Sequence, residues 1–345
     1  MKKTKLLIWM NRSEEALNRL RKIDGLEVAV LTGTPYTDYE AADVPAPPDH
    51  VMDTEILFCE LPFANMAAFE KLKLMQISTT GYSQLFGLDL PLRGIRACNG
   101  RGEFDTPIGD WCLAMMVNLN RDIRGMIRNQ EAGVWERSAR HQTELRGKRV
   151  GFFGYGSIAR EAARLAAAVG MEVVAYDRER ADFTKRNYYI VPGTGDVKAE
   201  IPVEFYYPGE ESAFCKRLDF FVAAMPLTKM TEGIIGEGML RTLPAGAYLL
   251  NFARGPLIVE QALLNVLRDG HLGGAALDVH YHYPMPADHP LWRFPNVIMT
   301  PHISGSSLSP NFLPRIYDIL TQNVRRYMMG EPLLNELSAD QLNGT

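Results

Sequence analysis

The chain is poor in cysteine, has no long apolar run and carries no excess of positive charge. Of its 345 residues four are cysteines, Cys59, Cys98, Cys112 and Cys215. Their spacing matches no metal-ligand pattern, so no metal site is expected. In a chain of this size they are expected as free, buried thiols of a reducing compartment, the cytoplasm. The apolar stretch behind Lys2 and Lys3 ends at Asn11 and Arg12, too soon for a signal peptide, and no other run is long enough to span a bilayer. A net charge of -4 gives neither the basic footprint of a nucleic-acid binder nor a polybasic membrane patch. Repeats and low-complexity segments are absent. What is left is an ordinary globular composition, long enough for two domains with a core each.

The stretch Arg149 to Asp177, RVGFFGYGSIAREAARLAAAVGMEVVAYD, reads as strand, glycine turn, helix, strand. Val150, Phe152 and Phe153 form a short apolar run. From Ile158 the apolar period becomes helical through Ala162, Ala163, Leu165, Ala166 and Val169, and Gly170 supplies the stop. The residue types suit a dinucleotide. Gly154 permits a tight exit from the strand, and Gly156 lets the backbone approach a pyrophosphate at the positive end of the helix that Ser157 and Ile158 begin. Ala159 is small enough for helix to pack on strand. Asp177 ends the second strand, where a carboxylate accepts hydrogen bonds from ribose hydroxyls and repels a 2'-phosphate, although Arg178 beside it could pair with one.

Ahead of this unit, strands are expected at Lys5 to Met10, Glu27 to Leu31, Ile56 to Cys59, Leu74 to Ile77 and Ile95 to Ala97, with helices at Ser13 to Lys22 and Met66 to Leu72 and a prolyl loop from Pro35 to Pro48. Thr106 and Pro107 read as the cap and first turn of a long helix reaching Ile123. Its Met and Trp stripe is read as core, with apolar positions beyond what one narrow face needs. After the dinucleotide unit, Ala181 to Glu200 reads as a surface loop containing Tyr188 and Tyr189. Strands are expected again at Asp219 to Ala223, Tyr248 to Asn251, Ala275 to Leu277 and Val297 to Met299, with helices at Val259 to Arg268 and beyond Pro314. Strands alternating with helices mean doubly wound parallel sheets.

Two strand ends carry chemistry. Arg254, with Ala253 before it, follows Tyr248 to Asn251, and an arginine there can clamp a carboxylate with two parallel hydrogen bonds. His302 follows Val297 to Met299, and a histidine there can exchange a proton with a substrate hydroxyl. His50, His141, His271 and His289 are read as structural.

The motifs ELRGKRVGFFGYGSIA, MPLTKMTEGIIG, NFARGPLIVEQALLNVLRDGHLGGAALDV and PADHPLWRFPNVIMTPHISGSS, in that order, resemble those of the D-isomer-specific 2-hydroxyacid dehydrogenases. That family includes relatives acting on glycerate, phosphoglycerate, lactate and formate. The resemblance implies two Rossmann-like α/β domains: a discontinuous substrate domain, 1–110 with 308–345, and an NAD-binding domain, 111–307. It implies that Arg254 binds the substrate carboxylate, that His302 is proton donor and acceptor, and that Asp278 holds the nicotinamide carboxamide while Pro226 lines the cofactor pocket. Thr80 and Gly81 would face the substrate carboxylate through their backbone amides. A homodimer and a small 2-oxo or 2-hydroxy acid are the implied partners.

At one position the sequence departs from the family. Tyr283 stands where a glutamate usually hydrogen-bonds the catalytic histidine. The formate-oxidising branch also lacks this glutamate, and MPADHPLW and MTPHISGSSL are similar to that branch, but it uses glutamine, and Phe104 occupies the place of its substrate asparagine. Three readings therefore stand at this level: a 2-hydroxyacid dehydrogenase, a formate-like dehydrogenase, and a dinucleotide-sensing binding protein on the same fold.

Overall fold

A computed structural model describes residues 3–31, 44–138, 142–178 and 187–344. In chain order the elements begin β1 (Thr4–Trp9), α1 (Glu14–Arg21), β2 (Leu26–Val30), α2 (Pro48–Val51), β3 (Ile56–Cys59), β4 (Leu74–Ile77) and β5 (Arg96–Cys98). There follow α3 (Asp105–Asn120), α4 (Ile123–Glu131), β6 (Arg149–Phe153), α5 (Ser157–Ala168), β7 (Glu172–Tyr176), β8 (Glu204–Tyr206), α6 (Glu211–Cys215) and β9 (Phe220–Ala223). The chain closes with α7 (Glu237–Thr242), β10 (Tyr248–Asn251), α8 (Glu260–Arg268), β11 (Gly274–Leu277), β12 (Val297–Met299), α9 (Phe312–Met329) and α10 (Ala339–Leu342). These fall into two compact units, the first Met1–Glu103, Asn187–Ile190 and Ser307–Thr345, the second Phe104–Arg186 and Val191–Ser306.

In the first unit five parallel strands run in the order β2-β1-β3-β4-β5. β3 and β4 are buried at every residue, as strands covered on both faces must be, and their sequences ILFC and LMQI are nearly continuous apolar runs for that reason. One face packs Leu7, Leu57 and Met75 against Phe63, Phe69 and Leu85. On α9, Tyr317 meets Phe58 edge-on, 5.4 Å between ring centres. The polar exception, Gln76, is fully buried in β4. Its amide nitrogen donates to the carbonyls of Cys98 (3.3 Å) and Asn99 (3.0 Å), and its oxygen accepts from Asn323 of α9 (2.8 Å). Asn323 in turn exchanges hydrogen bonds with the backbone of Leu334. Buried amides must be satisfied, and this network ties the last part of the chain to the first. Residues 187–190 join the same unit: Asn187 donates to the Leu333 carbonyl (2.9 Å) and the Tyr189 amide to Asn335 Oδ1 (3.0 Å).

The second unit holds seven parallel strands in the order β12-β11-β10-β9-β6-β7-β8, with a hydrophobic core on each face. On α5, Ala159, Ala162, Ala163 and Ala166 are buried, so the helix lies close against its neighbours. α3 approaches it at Gly109, where a Cβ would come within 2.9 Å of Glu161 Cγ.

Several expectations change. Met66 to Leu72 is only a 3-10 turn, Met66–Ala68. Seven residues gain too few hydrogen bonds to offset helix nucleation, and Phe69 and Leu72 are drawn into the core instead. Thr106 is not the cap of α3, which starts at Asp105 behind Phe104 without a side-chain cap. The long helix also stops at Asn120. Asp122 adopts φ +46 and caps α4 by accepting from the Gly125 amide at 3.1 Å. The division between the units falls before α3, not inside it, because α3 stays whole against α5. Of the loop at 181–200, residues 181–186 lie outside the described residues, as do His141 and most of the prolyl loop. The remainder is no mere surface loop, since Asp196 is buried and accepts from Tyr155 Oη (2.8 Å) and from the amides of Glu200 and Ile201. β8 was not anticipated; one exposed and two partly buried residues carry no period.

Candidate active site

In the second unit the strand order reverses between β6 and β9, and a ligand crevice belongs outside the carboxyl ends of that pair. Gly154 leaves β6 with φ +106, and a Cβ there would lie 2.8 Å from the Ala224 carbonyl and 2.9 Å from the Met225 nitrogen beyond β9. Only glycine lets the two strand ends come this close. Gly156 differs. A Cβ there would meet nothing within 4 Å, and as the N-cap of the 12-residue α5 it makes no side-chain cap. Open space ahead of uncapped helix amides fits a pyrophosphate. Ser157 fits through its backbone alone, because its hydroxyl donates to Asp105 at 2.9 Å. Asp177 directly follows β7, with one oxygen accepting from the Arg178 amide at 2.9 Å. These residues fit a dinucleotide.

The same sheet edge, further along, holds Arg254 and His302. After β10, Asn251 braces a turn by accepting from the Ala253 amide (3.0 Å) and donating to the Arg254 carbonyl (2.9 Å). The turn is pressed onto the next strand's exit, since a Cβ on Gly255 would overlap the His280 carbonyl. Arg254 is half-buried, donates through Nη1 to the Ala253 carbonyl at 2.7 Å and makes no ion pair among the described residues. A guanidinium so placed can take an anion.

After β11, Asp278 is wholly buried. One of its oxygens accepts from Thr300 Oγ1 (2.6 Å) and the Ile303 amide (2.9 Å), the other from the amide (3.0 Å) and hydroxyl (2.5 Å) of Ser304. Four donors occupy all the lone-pair sites of a carboxylate. Asp278, expected from the resemblance to hold a carboxamide, fastens both ends of the turn that carries His302. That residue sits at φ +57, a left-handed conformation a histidine keeps only when its surroundings impose it. Trp111 of α3 adds a bond to Thr300 Oγ1 at 3.2 Å, and His280 Nε2 meets the Thr300 carbonyl at 2.8 Å. Burial, then the Arg254 guanidinium, holds the His302 imidazole below its ordinary pKa; Asp278 opposes this, and His280 adds a smaller push downward. Tyr283, 47% exposed, places its ring 5.6 Å from that of His302, and its hydroxyl accepts from the His280 amide at 3.1 Å.

Residues 113–304 match the family described as D-isomer specific 2-hydroxyacid dehydrogenase, NAD binding domain. The chain belongs to this family. A Haemophilus influenzae protein assigned to the 2-hydroxyacid dehydrogenases is 31% identical over 285 residues, covering 79% of this chain and 84% of its own. A glyoxylate reductase of Thermofilum pendens is 27% identical over 291 residues, 82% of this chain and 80% of its own. In fold, the chain superposes on a D-isomer specific 2-hydroxyacid dehydrogenase of Xanthobacter autotrophicus, crystallised with NADPH and MES, with a TM-score of 0.77 at 24% identity over 99% of both chains. The protein is thus an oxidoreductase of the D-2-hydroxyacid dehydrogenase family with a Rossmann-type nicotinamide dinucleotide domain.

The second unit brings Arg254, His302, Asp278 and Tyr283 to one edge. Phe104 also belongs to it and packs at Gly305, where a Cβ would come within 3.0 Å of its ring. Pro226, beyond β9, accepts from Thr231 Oγ1 at 2.7 Å. Thr80 and Gly81 lie on the first unit, after β4, where the Thr80 carbonyl accepts from Asn99 at 2.7 Å. Sequence reasoning missed Asn251, Trp111 and His280. The first stands directly before the arginine turn and could have been suspected; the other two act across the fold and leave no local signal.

Proposed function

We propose that the chain interconverts a D-2-hydroxy acid and its 2-oxo acid, with NAD as preferred cofactor, Arg254 gripping the carboxylate and His302 exchanging the proton. The observation that carries this reading is a half-buried arginine with no ion pair among the described residues, beside a histidine held at positive φ, both at strand carboxyl ends. When bound, the dinucleotide gives or takes hydride at nicotinamide C4. Arg254 orients the acid through two parallel bonds and polarises its carbonyl. His302 protonates the developing alkoxide during reduction, or removes the hydroxyl proton during oxidation, within hydrogen-bond reach set by the Asp278 latch. Asp177, with Glu210 and Glu211 following the neighbouring β8, supports the preference for NAD, since carboxylates disfavour a 2'-phosphate. Exposed Val117, Ile127, Val134 and Trp135, the last 88% exposed, support a homodimer built on α3 and α4. No helix among the described residues is long and apolar enough to cross a membrane, which accords with a cytoplasmic enzyme.

The test is a panel of 2-oxo acids with NADH and NADPH, and formate with NAD, followed by the absorbance of the reduced cofactor. Reduction of at least one 2-oxo acid, about tenfold more efficient with NADH, is expected. Turnover of formate alone, or of nothing, would overturn the reading.

A further inference from the structure

The strand order of the first unit, β2-β1-β3-β4-β5, reverses between β1 and β3, so this sheet has its own crevice position outside the carboxyl end of β3. The residue that leaves β3 there is Glu60. β3 and β4 are parallel with Cys59 opposite Ile77, so Glu60 and Ser78 leave the sheet side by side, and Ser78 Oγ lies 3.4 Å from Glu60 Oε2. Two residues beyond Ser78 is Thr80. Gln84 locks the two segments together by donating to Thr79 Oγ1 (2.7 Å) and to the Glu60 carbonyl (3.2 Å), and Thr79 Oγ1 donates to the Gly81 carbonyl (2.7 Å). The Glu60 side chain is half-buried, and among the described residues its carboxyl has no partner but that one distant hydroxyl and no cation near it.

We propose that Glu60 selects the far end of the substrate: its carboxyl accepts a hydrogen bond from a hydroxyl on C3 of a 2-oxo acid and rejects acids that carry an anionic group there. This rests on the reading that Thr80 and Gly81 face the substrate carboxylate. The backbone and Gln84 hold Glu60 beside that loop. A carboxyl with spare acceptor capacity pairs well with a hydroxyl donor and leaves a methyl group unrewarded. Burial raises its pKa to about 7, so near neutrality much of it is ionised, and an anionic tail would meet a like charge with no cation to balance it.

The experiment measures kcat/KM of the full chain with NADH for hydroxypyruvate, pyruvate and 3-phosphohydroxypyruvate, in the parent and in Glu60→Leu, Glu60→Gln and Glu60→Lys, with NADH binding by fluorescence confirming that each variant is folded. The parent is expected to favour hydroxypyruvate over pyruvate by about tenfold or more and to turn over the phosphorylated acid least. Glu60→Leu brings the hydroxyl preference close to one, mainly through KM. Glu60→Gln keeps part of that preference, because it retains an acceptor, and admits the phosphorylated acid. Glu60→Lys favours the phosphorylated acid by about tenfold over the parent. If the order of the three acids is the same in Glu60→Gln and Glu60→Lys as in the parent, while pyruvate is still reduced, the proposal falls and the 2-oxo acid reading stands. If the parent reduces none of the three and no other 2-oxo acid, both fall.

Discussion

Two carboxylates at strand carboxyl ends, one in each unit, show opposite uses of the same position. Asp278 after β11 is fully buried and accepts four hydrogen bonds. Glu60 after β3 is half-buried, has one long contact to a serine, and has a pKa raised to about 7 by burial. The aspartate is spent on structure: every acceptor it has holds the turn that presents His302. The glutamate is spare, and a spare polar group in a sparsely solvated place is one that a ligand can engage. Their neighbours follow the same division. Thr300 Oγ1 is bonded on both sides, whereas Thr80 Oγ1 is buried without a partner among the described residues. One edge is finished and rigid, and the other keeps unused hydrogen-bonding capacity.

The largest effect should come from breaking the finished edge. In Asp278→Asn one oxygen becomes an NH2 group that faces donors instead of accepting from them. With charge-assisted bonds worth about 1.5–3 kcal/mol each, a loss of roughly 3 kcal/mol or more is expected. Turnover should fall by about a hundredfold or more, and the melting midpoint by about 5 °C, while Glu60→Gln leaves the midpoint within about 1 °C. Thermal melts and steady-state rates on both variants check this. Equal melting of the two would erase the contrast between the carboxylates.

The glycines of the dinucleotide turn sharpen the same point at an intermediate scale. Gly154→Ala must carry a Cβ at φ +106 against the Ala224 backbone, and about 2 kcal/mol of destabilisation is expected. Gly156→Ala has open space around it at an ordinary φ of -78, so the fold should be untouched while the dissociation constant for NADH rises about tenfold. Chemical denaturation and fluorescence titration separate the two outcomes.

The smallest effect lies at Tyr283, on the rim of the finished edge. The His302 pKa is lowered, by burial first and by Arg254 second. Its protonated form, required for carbonyl reduction, is present below that lowered pKa and lost as pH rises through it. Reductive kcat/KM should therefore be highest on the acidic side and fall within an interval below the ordinary histidine value of about 6.5, while the oxidative direction rises across the same interval. Tyr283→Glu introduces a carboxylate beside the imidazole and should move both limbs upward by about one pH unit. Profiles unchanged by that substitution would mean that this position does not govern the proton on His302.

The sequence by itself determined the alternation of strands and helices, the glycine turn that leaves β6 at Gly154, and the placing of Arg254 and His302 just past buried strands. Each of these is written in consecutive residues whose chemistry is local: a φ only glycine favours, a helical apolar period, a side chain one step past a buried strand. The tertiary structure alone decided where α3 begins and ends and that Met66 to Leu72 is too short to stay helical once Phe69 and Leu72 are buried. It also showed that Asp196 roots a segment that reads as plain loop. The surroundings of the two carboxylates were decided the same way. Nothing around Asp278 in the chain announces that its four donors come from residues 300–304, and nothing around Glu60 announces that no cation among the described residues stands beside it. A carboxylate's work is set by the donors and charges that folding brings within about 3 Å of it, and those partners are distant in sequence.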